Sequence, residues 1–241
     1  MEATSWDGFV EARERFRGGI ADMRAGLPRL GKALQALVDD RSPSYLVETP
    51  IVFNAALDDV TRDSDIRLIV VGDNPGRREQ AAGRYLVGPS GKLAEGFFRA
   101  HPSLGVDFRG NALILNKTPI HTPRTSDLRR LRGSVFADAL DESQRFMARL
   151  LRDFQSALGV PAWITGYSEM RRGGVFEAYT DEIRGLYAAD GPGSPPLLLF
   201  RHFSMNQFSA DFRRNAAEGE PAELALTRIG DGYRRRVLSL P

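Results

Sequence analysis

The chain has 241 residues, 42% of them hydrophobic, enough for one large domain with a single buried core. It contains no cysteine, which excludes disulfides, thiolate metal sites, cysteine-ligated iron–sulfur clusters and thiol catalysis, and suits a cytoplasmic setting. The net charge is only +2, and of the 33 basic residues only Lys32, Lys92 and Lys117 are lysines; guanidinium groups suit phosphate contacts, but this balance selects no partner by itself.

The N-terminus, MEATSWDGFVEARERFRGGI, is charged throughout. No window approaches the roughly 18 consecutive apolar residues that a membrane helix needs, so no membrane partner is expected. From Trp6 to Val38, apolar residues (among them Phe9, Phe16, Ile20, Leu30 and Leu34) recur at threes and fours. That spacing predicts amphipathic helix, with Gly18-Gly19 and Pro28 as interruptions that divide it in two. RSPSYLVETP, from Arg41, reads as loop with a short extended piece. Residues 1–62 thus form a helical N-terminal elaboration.

IRLIVV, Ile66 to Val71, is almost entirely β-branched residues and leucine and ends at Gly72. Such a run suits a strand buried on both faces of a parallel sheet. Similar runs follow at Ala112 to Asn116 (ALILN), Ala162 to Gly166 (AWITG) and Leu197 to Phe200 (LLLF). Between them, Lys92 to Ala100, Asp141 to Leu158 and Ser168 to Leu186 carry helical periodicity, the last interrupted by Gly173-Gly174. Strict alternation of strand and helix predicts an α/β fold, a three-layer α/β/α arrangement around a four-stranded parallel sheet, in one domain spanning 1–241. GPGSPP before the fourth run is a loop, and residues 211–241 read as a surface helix with an arginine-rich tail.

In open parallel sheets, ligands bind at the carboxyl ends of the strands, where the loops converge. That rule selects GDNPGRRE, NKTPIHTPRT, GYSEMRRGG and RHFSMNQF. A phosphate-binding reading of the glycine-rich stretch fails. GPSGK has Leu86 where the first P-loop glycine belongs and Leu93 where the hydroxyl that holds magnesium belongs, and GDNPG has Asn74 in place of the second glycine of a dinucleotide fingerprint. No G-x-S-x-G nucleophile elbow occurs. GDNPG instead fixes Asp73 and Asn74 in a rigid turn, where either side chain can orient one water molecule. Asn116 ends the second strand with an amide that can both donate and accept, and His202 follows the fourth as a donor to a leaving anion. Taken singly, each is explained by turn formation or by an ordinary structural histidine.

Together, in this order on successive strands, GDNPG, ALILN and HFSMN resemble the motifs of the uracil-DNA glycosylase superfamily. GDNPG is similar to the G-x-N-P-G of its mismatch-specific and single-strand-selective branches. GRREQAAGRYLVGPSGK resembles the segment after the G-E-A-P-G of the thermostable branch, an acidic residue followed by G-x-P-F-V-G-x-A-G. The resemblance spans roughly Ile66 to Phe208.

It implies a monofunctional DNA glycosylase of base excision repair, a hydrolase acting on the bond between the sugar and uracil or a related deaminated base, after that nucleotide leaves the stack. Asn74, with Asp73 as alternative, would hold the attacking water, and His202 would stabilise the departing base. Asn116 would read the base edge, and Gly72, Gly76, Leu86 and Ser204 would complete the substrate site. Ser90, Lys92, Lys117, Met205 and Asn206 would meet DNA, with Met205 to Phe208 as an apolar wedge. The expected partner is DNA containing a damaged base, with no cofactor and no metal; without cysteine, the iron–sulfur cluster of the thermostable branch is excluded.

Three departures bear on this reading: Leu86 stands for that branch's stacking Phe, Tyr85 for the Pro before it, and Phe203 for the Pro of H-P-S. They leave open a different base, such as hypoxanthine or xanthine, or a relative that binds nucleic acid or a free base without turnover. A lyase needs an amine nucleophile, and only Lys92 and Lys117 lie near the motifs.

Overall fold

The computed structural model describes residues 1–39, 44–191 and 193–240. The start of the expected loop at Arg41, Pro192 of GPGSPP and the final Pro241 lie outside them. Four parallel strands, β1 (Leu68–Gly72), β2 (Ala112–Asn116), β3 (Ala162–Thr165) and β4 (Leu197–Phe200), pair in the order β2-β1-β3-β4. Every residue of β1, β3 and β4 is buried, the physical reason these strands read as continuous apolar runs rather than alternating ones. Gly72 aligns with Asn116 across the β1–β2 pair, so both chain exits stand at the same edge of the sheet.

The helices are α1 (Ala3–Gly26), α2 (Leu30–Asp39), α3 (Arg77–Ala82), α4 (Pro89–Ala100), α5 (Asp127–Arg132), α6 (Ala137–Leu158), α7 (Glu177–Tyr187), α8 (Gln207–Asn215) and α9 (Ala222–Leu238). They cover both faces of the sheet in a three-layer α/β/α arrangement. On one side α1 packs along α6, which also packs against α7. On the other, Phe98 of α4 and Phe208 of α8 stack on Trp163 of β3, at 5.4 and 6.0 Å between ring centroids, and α9 lies along β4. One continuous apolar core joins these layers.

The expected break at Gly18-Gly19 does not occur, and α1 runs unbroken to Gly26. A side chain at Gly19 would collide with the Phe146 ring of α6, so this glycine serves helix–helix contact. Buried Phe9, Phe16 and Ile20 each supply about 1.5–3 kcal/mol of burial, which outweighs the roughly 1 kcal/mol that a helical glycine costs. Pro28 does end the helix, since α2 starts only at Leu30.

The expected interruption at Gly173-Gly174 does occur, and it separates a short turn, Tyr167–Glu169, rather than a first helical piece, from α7. Gly173 takes a left-handed conformation, and a side chain at Gly174 would meet the carbonyl of Glu169, so the chain doubles back there. Nor is the C-terminal segment a surface tail. Ala225, Leu226, Ile229 and Leu238 of α9 are buried, and Gly230 lets α9 approach β4, since a Cβ there would sit 2.7 Å from the Phe200 ring and 2.8 Å from Leu198. No helix among the described residues is long and apolar enough to cross a membrane.

Candidate functional site

A cleft of about 400 Å³ opens at the carboxyl edge of the sheet. The turn after β1 supplies Asp73, Asn74 and Gly76, and the loop after β2 supplies Thr122 to Thr125. Leu86, Pro89 and Ser90 come from the second glycine-rich turn, and His202 and Ser204 from the loop after β4. Asp73, Asn74 and His202, 129 positions apart at the extremes of the chain order, therefore share one wall system, as the strand-end rule requires.

Asn74 is fixed from both ends of its amide. Its Nδ2 donates to the Thr122 hydroxyl at 2.9 Å and, more weakly, to the Thr122 carbonyl at 3.3 Å, while the Thr125 hydroxyl donates to its Oδ1 at 3.0 Å. The Thr122 proton is itself given to the Arg124 carbonyl at 2.9 Å, so Thr122 must accept from Asn74. That bookkeeping sets which end of the amide is oxygen and leaves Oδ1 one lone pair for a further donor.

Asp73 is held by Lys117, whose Nζ donates to Oδ1 at 2.6 Å. Lys117 has no solvent exposure. Its remaining protons go to the Thr165 carbonyl and, at the limit of a hydrogen bond, to the Gly72 carbonyl at 3.5 Å, and the Phe176 ring lies 4.8 Å from Nζ. Burial lowers the pKa of this ammonium, and Asp73 opposes that shift. The DNA contact expected of Lys117 is thus not available to it: the side chain turns inward beneath the cleft. Gly166, in a left-handed conformation, leaves room for the Asp73 carboxylate, which any Cβ there would strike.

His202 is half-buried and accepts a hydrogen bond from the backbone N–H of Ser204 at Nδ1, 3.0 Å away. An accepting Nδ1 carries no proton, so the neutral ring bears its hydrogen on Nε2. Nε2 has no protein partner among the described residues. Burial pushes the His202 pKa down, Asp73 and Glu79 partly restore it, and Lys117 lowers it further. The ring is therefore neutral at pH 7, with its N–H free for a ligand.

The double glycine turn builds the opposite part of the cleft around a carboxylate. Glu79 of α3, buried at 8% exposure, accepts from the Gly88 N–H at 3.0 Å, and Cβ atoms at Gly76 or Gly88 would each fall 2.9 Å from its oxygens. Leu86 has φ of 49°, a left-handed conformation that costs a non-glycine residue about 1–2 kcal/mol. Two contacts hold it there: Arg109 donates to its carbonyl at 2.7 Å, and the N-terminal turn of α4 packs so closely on that carbonyl that any side chain at Gly91 would overlap it.

Asn116 lies beneath this turn. It is 2% exposed and does not form part of the cleft wall. A Cβ at Gly72 would sit 2.6 Å from Asn116 Oδ1 and 3.4 Å from Leu86 Cδ2, so the bare glycine makes room for both the amide and the Leu86 side chain. Asn116 Nδ2 has no hydrogen-bond partner among the described residues, an orphaned buried donor.

At the rim, Ser90 and Ser204 face the cleft, while Lys92 is exposed on the first turn of α4 outside its wall. Met205 is 82% exposed, and Met205 and Asn206 both have positive φ. Phe208, expected with Met205 as part of a wedge, is buried instead, stacked 4.4 Å from Phe203. Phe203 thus joins the loop to the core.

Sequence reasoning missed Glu79, Thr122 and Thr125 as individuals. For Glu79 a signal existed, an acid between two glycine turns; for the threonines none did, because a loop threonine has no pattern. No group of three His, Asp or Glu side chains among the described residues could hold a metal ion. No protein-family model matches the chain, and no curated protein matches it significantly.

Proposed function

We propose that the protein is a monofunctional DNA glycosylase that hydrolyses the bond between deoxyribose and uracil or a related deaminated base. The observation that carries this reading is the convergence of Asp73, Asn74 and the Nε2–H of a neutral His202 on one cleft. Its volume, about 400 Å³, lies in the range of small-molecule pockets, roughly 300–1,000 Å³.

The extruded nucleotide enters with its base toward Leu86. As the glycosidic bond stretches, positive charge grows on the sugar and negative charge on the base. The Asp73 carboxylate opposes the first, and the His202 N–H donates to the second without bringing a proton it must give up. The spare lone pair of Asn74 Oδ1 orients the water that adds to the sugar, and that water's proton passes to Asp73 or solvent. All the protons of Lys117 are committed, so no amine competes with water, which supports hydrolysis over lyase chemistry. The orphaned Asn116 Nδ2 would gain a partner in a base carbonyl that reached it.

The test is release of free base from single- and double-stranded oligonucleotides containing uracil, hypoxanthine or xanthine. The wild type is expected to release at least one, and Asn74→Ala and His202→Ala to reduce the rate by about 10²–10³, the scale of a lost transition-state contact. No release of any of these bases at high enzyme concentration overturns the proposal.

The burial of Asn116 outside the cleft wall favours one other reading, a protein that binds nucleic acid or a free base without hydrolysis. It predicts tight binding that Asn74→Ala leaves unchanged.

A further inference from the structure

Most surface arginines in this chain are neutralised: Arg109 by Glu95, Arg152 by Asp190, Arg228 by Glu220. Four exposed arginines at the carboxyl edge, one in α3 and three in loops, are not. Arg78 and Arg124 line the cleft, and Arg171 and Arg172 project from the loop after β3; none of the four makes an ion-pair contact or hydrogen bond among the described residues, and Arg172 acts on Glu177, already bonded to Arg132, only at longer range.

The contacts between these loops make the four part of one surface. The Arg124 loop is tied to the β1 turn through Thr122, Thr125 and Asn74, and it leads directly into α5. From α5, Arg129 reaches Glu169 and Arg132 reaches Glu177, with a further bond from Arg132 to the Gly174 carbonyl, so the β3 loop is fastened alongside. Glu169 and Glu177 are thereby matched by Arg129 and Arg132, which leaves Arg171 and Arg172 in excess on the β3 loop.

We propose that Arg78, Arg124, Arg171 and Arg172 form a phosphate track that carries the DNA strand from the mouth of the cleft across α5 to the β3 loop. The inference rests on the glycosylase reading for the identity of its partner. The physical basis is that each unpaired guanidinium can displace a condensed counterion from the phosphodiester backbone, whereas a paired one cannot without first losing its acid. Binding to the track is independent of base identity, so it positions the strand and leaves recognition to the cleft.

The experiment measures binding of a fluorescein-labelled, single-stranded thymine oligonucleotide by anisotropy over a series of KCl concentrations. Each lost phosphate contact lowers the slope of log K against log salt by about 0.7 on single strands. Arg78→Gln/Arg124→Gln and Arg171→Gln/Arg172→Gln should each reduce it by about 1.4. Arg99→Gln, about 14 Å along α4 from the cleft residue Ser90 at 1.5 Å per residue, should leave it unchanged. All five side chains are exposed, and circular dichroism verifies the fold.

The track is overturned if the wild type does not bind, if neither double variant changes the slope, or if only the cleft pair does. Base release is scored separately on the same preparations. Release with unchanged slopes rejects the track and keeps the glycosylase; reduced slopes with no release from any substrate keep the track and reject the glycosylase.

Discussion

The Lys117–Asp73 pair offers the sharpest test of how this site is built. Lys117→Met keeps the stem volume and removes the charge, leaving Asp73 Oδ1 and the Thr165 carbonyl without their donor. Removing one partner of a buried pair costs about 3–5 kcal/mol, mostly from the charge left behind. Here the Asp73 side chain is 14% exposed and faces the cleft, so water partly replaces the ammonium. The low end, about 3 kcal/mol, is therefore expected. For a chain of this size that corresponds to about 6–12 °C in Tm.

Asp73→Asn/Lys117→Met removes both charges and should recover most of the loss, with a coupling of about 2 kcal/mol or more in a double-mutant cycle read by urea denaturation. A single variant within about 1 kcal/mol of wild type, or strictly additive effects, would refute the reasoning. Either result would mean that the ammonium does not hold the carboxylate.

The remaining predictions concern pH, packing and the rim. Buried His121 donates through Nδ1 to the Pro75 carbonyl at 2.8 Å, and its Nε2 faces the Tyr45 hydroxyl at 2.8 Å; burial, against the Pro75 bond, lowers its pKa to about 4. Its folded pKa lies below its unfolded value near 6.5, so the stability it contributes is present above about pH 6.5 and is lost as pH falls toward 4. The loss is at most about 3.4 kcal/mol at 1.36 kcal/mol per unit. Denaturation of wild type and His121→Gln at pH 7 and pH 4 should show the variant with the flatter profile; parallel profiles contradict the assignment. Gly91→Ala forces a methyl against the Leu86 carbonyl and should cost about 3 kcal/mol or more, measurable as a lower urea midpoint. Met205→Ala should leave stability within about 0.5 kcal/mol, as for an exposed site, while slowing base release from duplex far more than from single strands. Equal slowing on both would deny Met205 a wedge role.

The amino-acid sequence alone determined the layer architecture and most strand limits. β2 and β4 fall where their apolar runs begin and end, because strands buried on both faces have no polar alternation to blur them. It also pointed to the edge where a cleft opens, since a parallel sheet sends every strand exit to one edge, although the loop after β3 contributes no residue to the wall of that cleft. Glycines were the least legible residues: Gly19 and Gly230 read as breaks or as surface, yet each serves close approach of a helix to an aromatic neighbour, a property of the partner and not of the local segment. Only the tertiary structure decided that Lys117 turns inward, that Asn116 is buried outside the cleft wall, and that the His202 proton sits on Nε2. Each outcome depends on groups distant in sequence or on the fine geometry of a turn: Lys117 meets Asp73 44 positions away and Thr165 48 positions away. Periodicity and propensity act over one or two turns of chain, whereas the direction of a polar side chain leaving a strand is set by whichever distant carbonyl or carboxylate the folded core leaves unsatisfied.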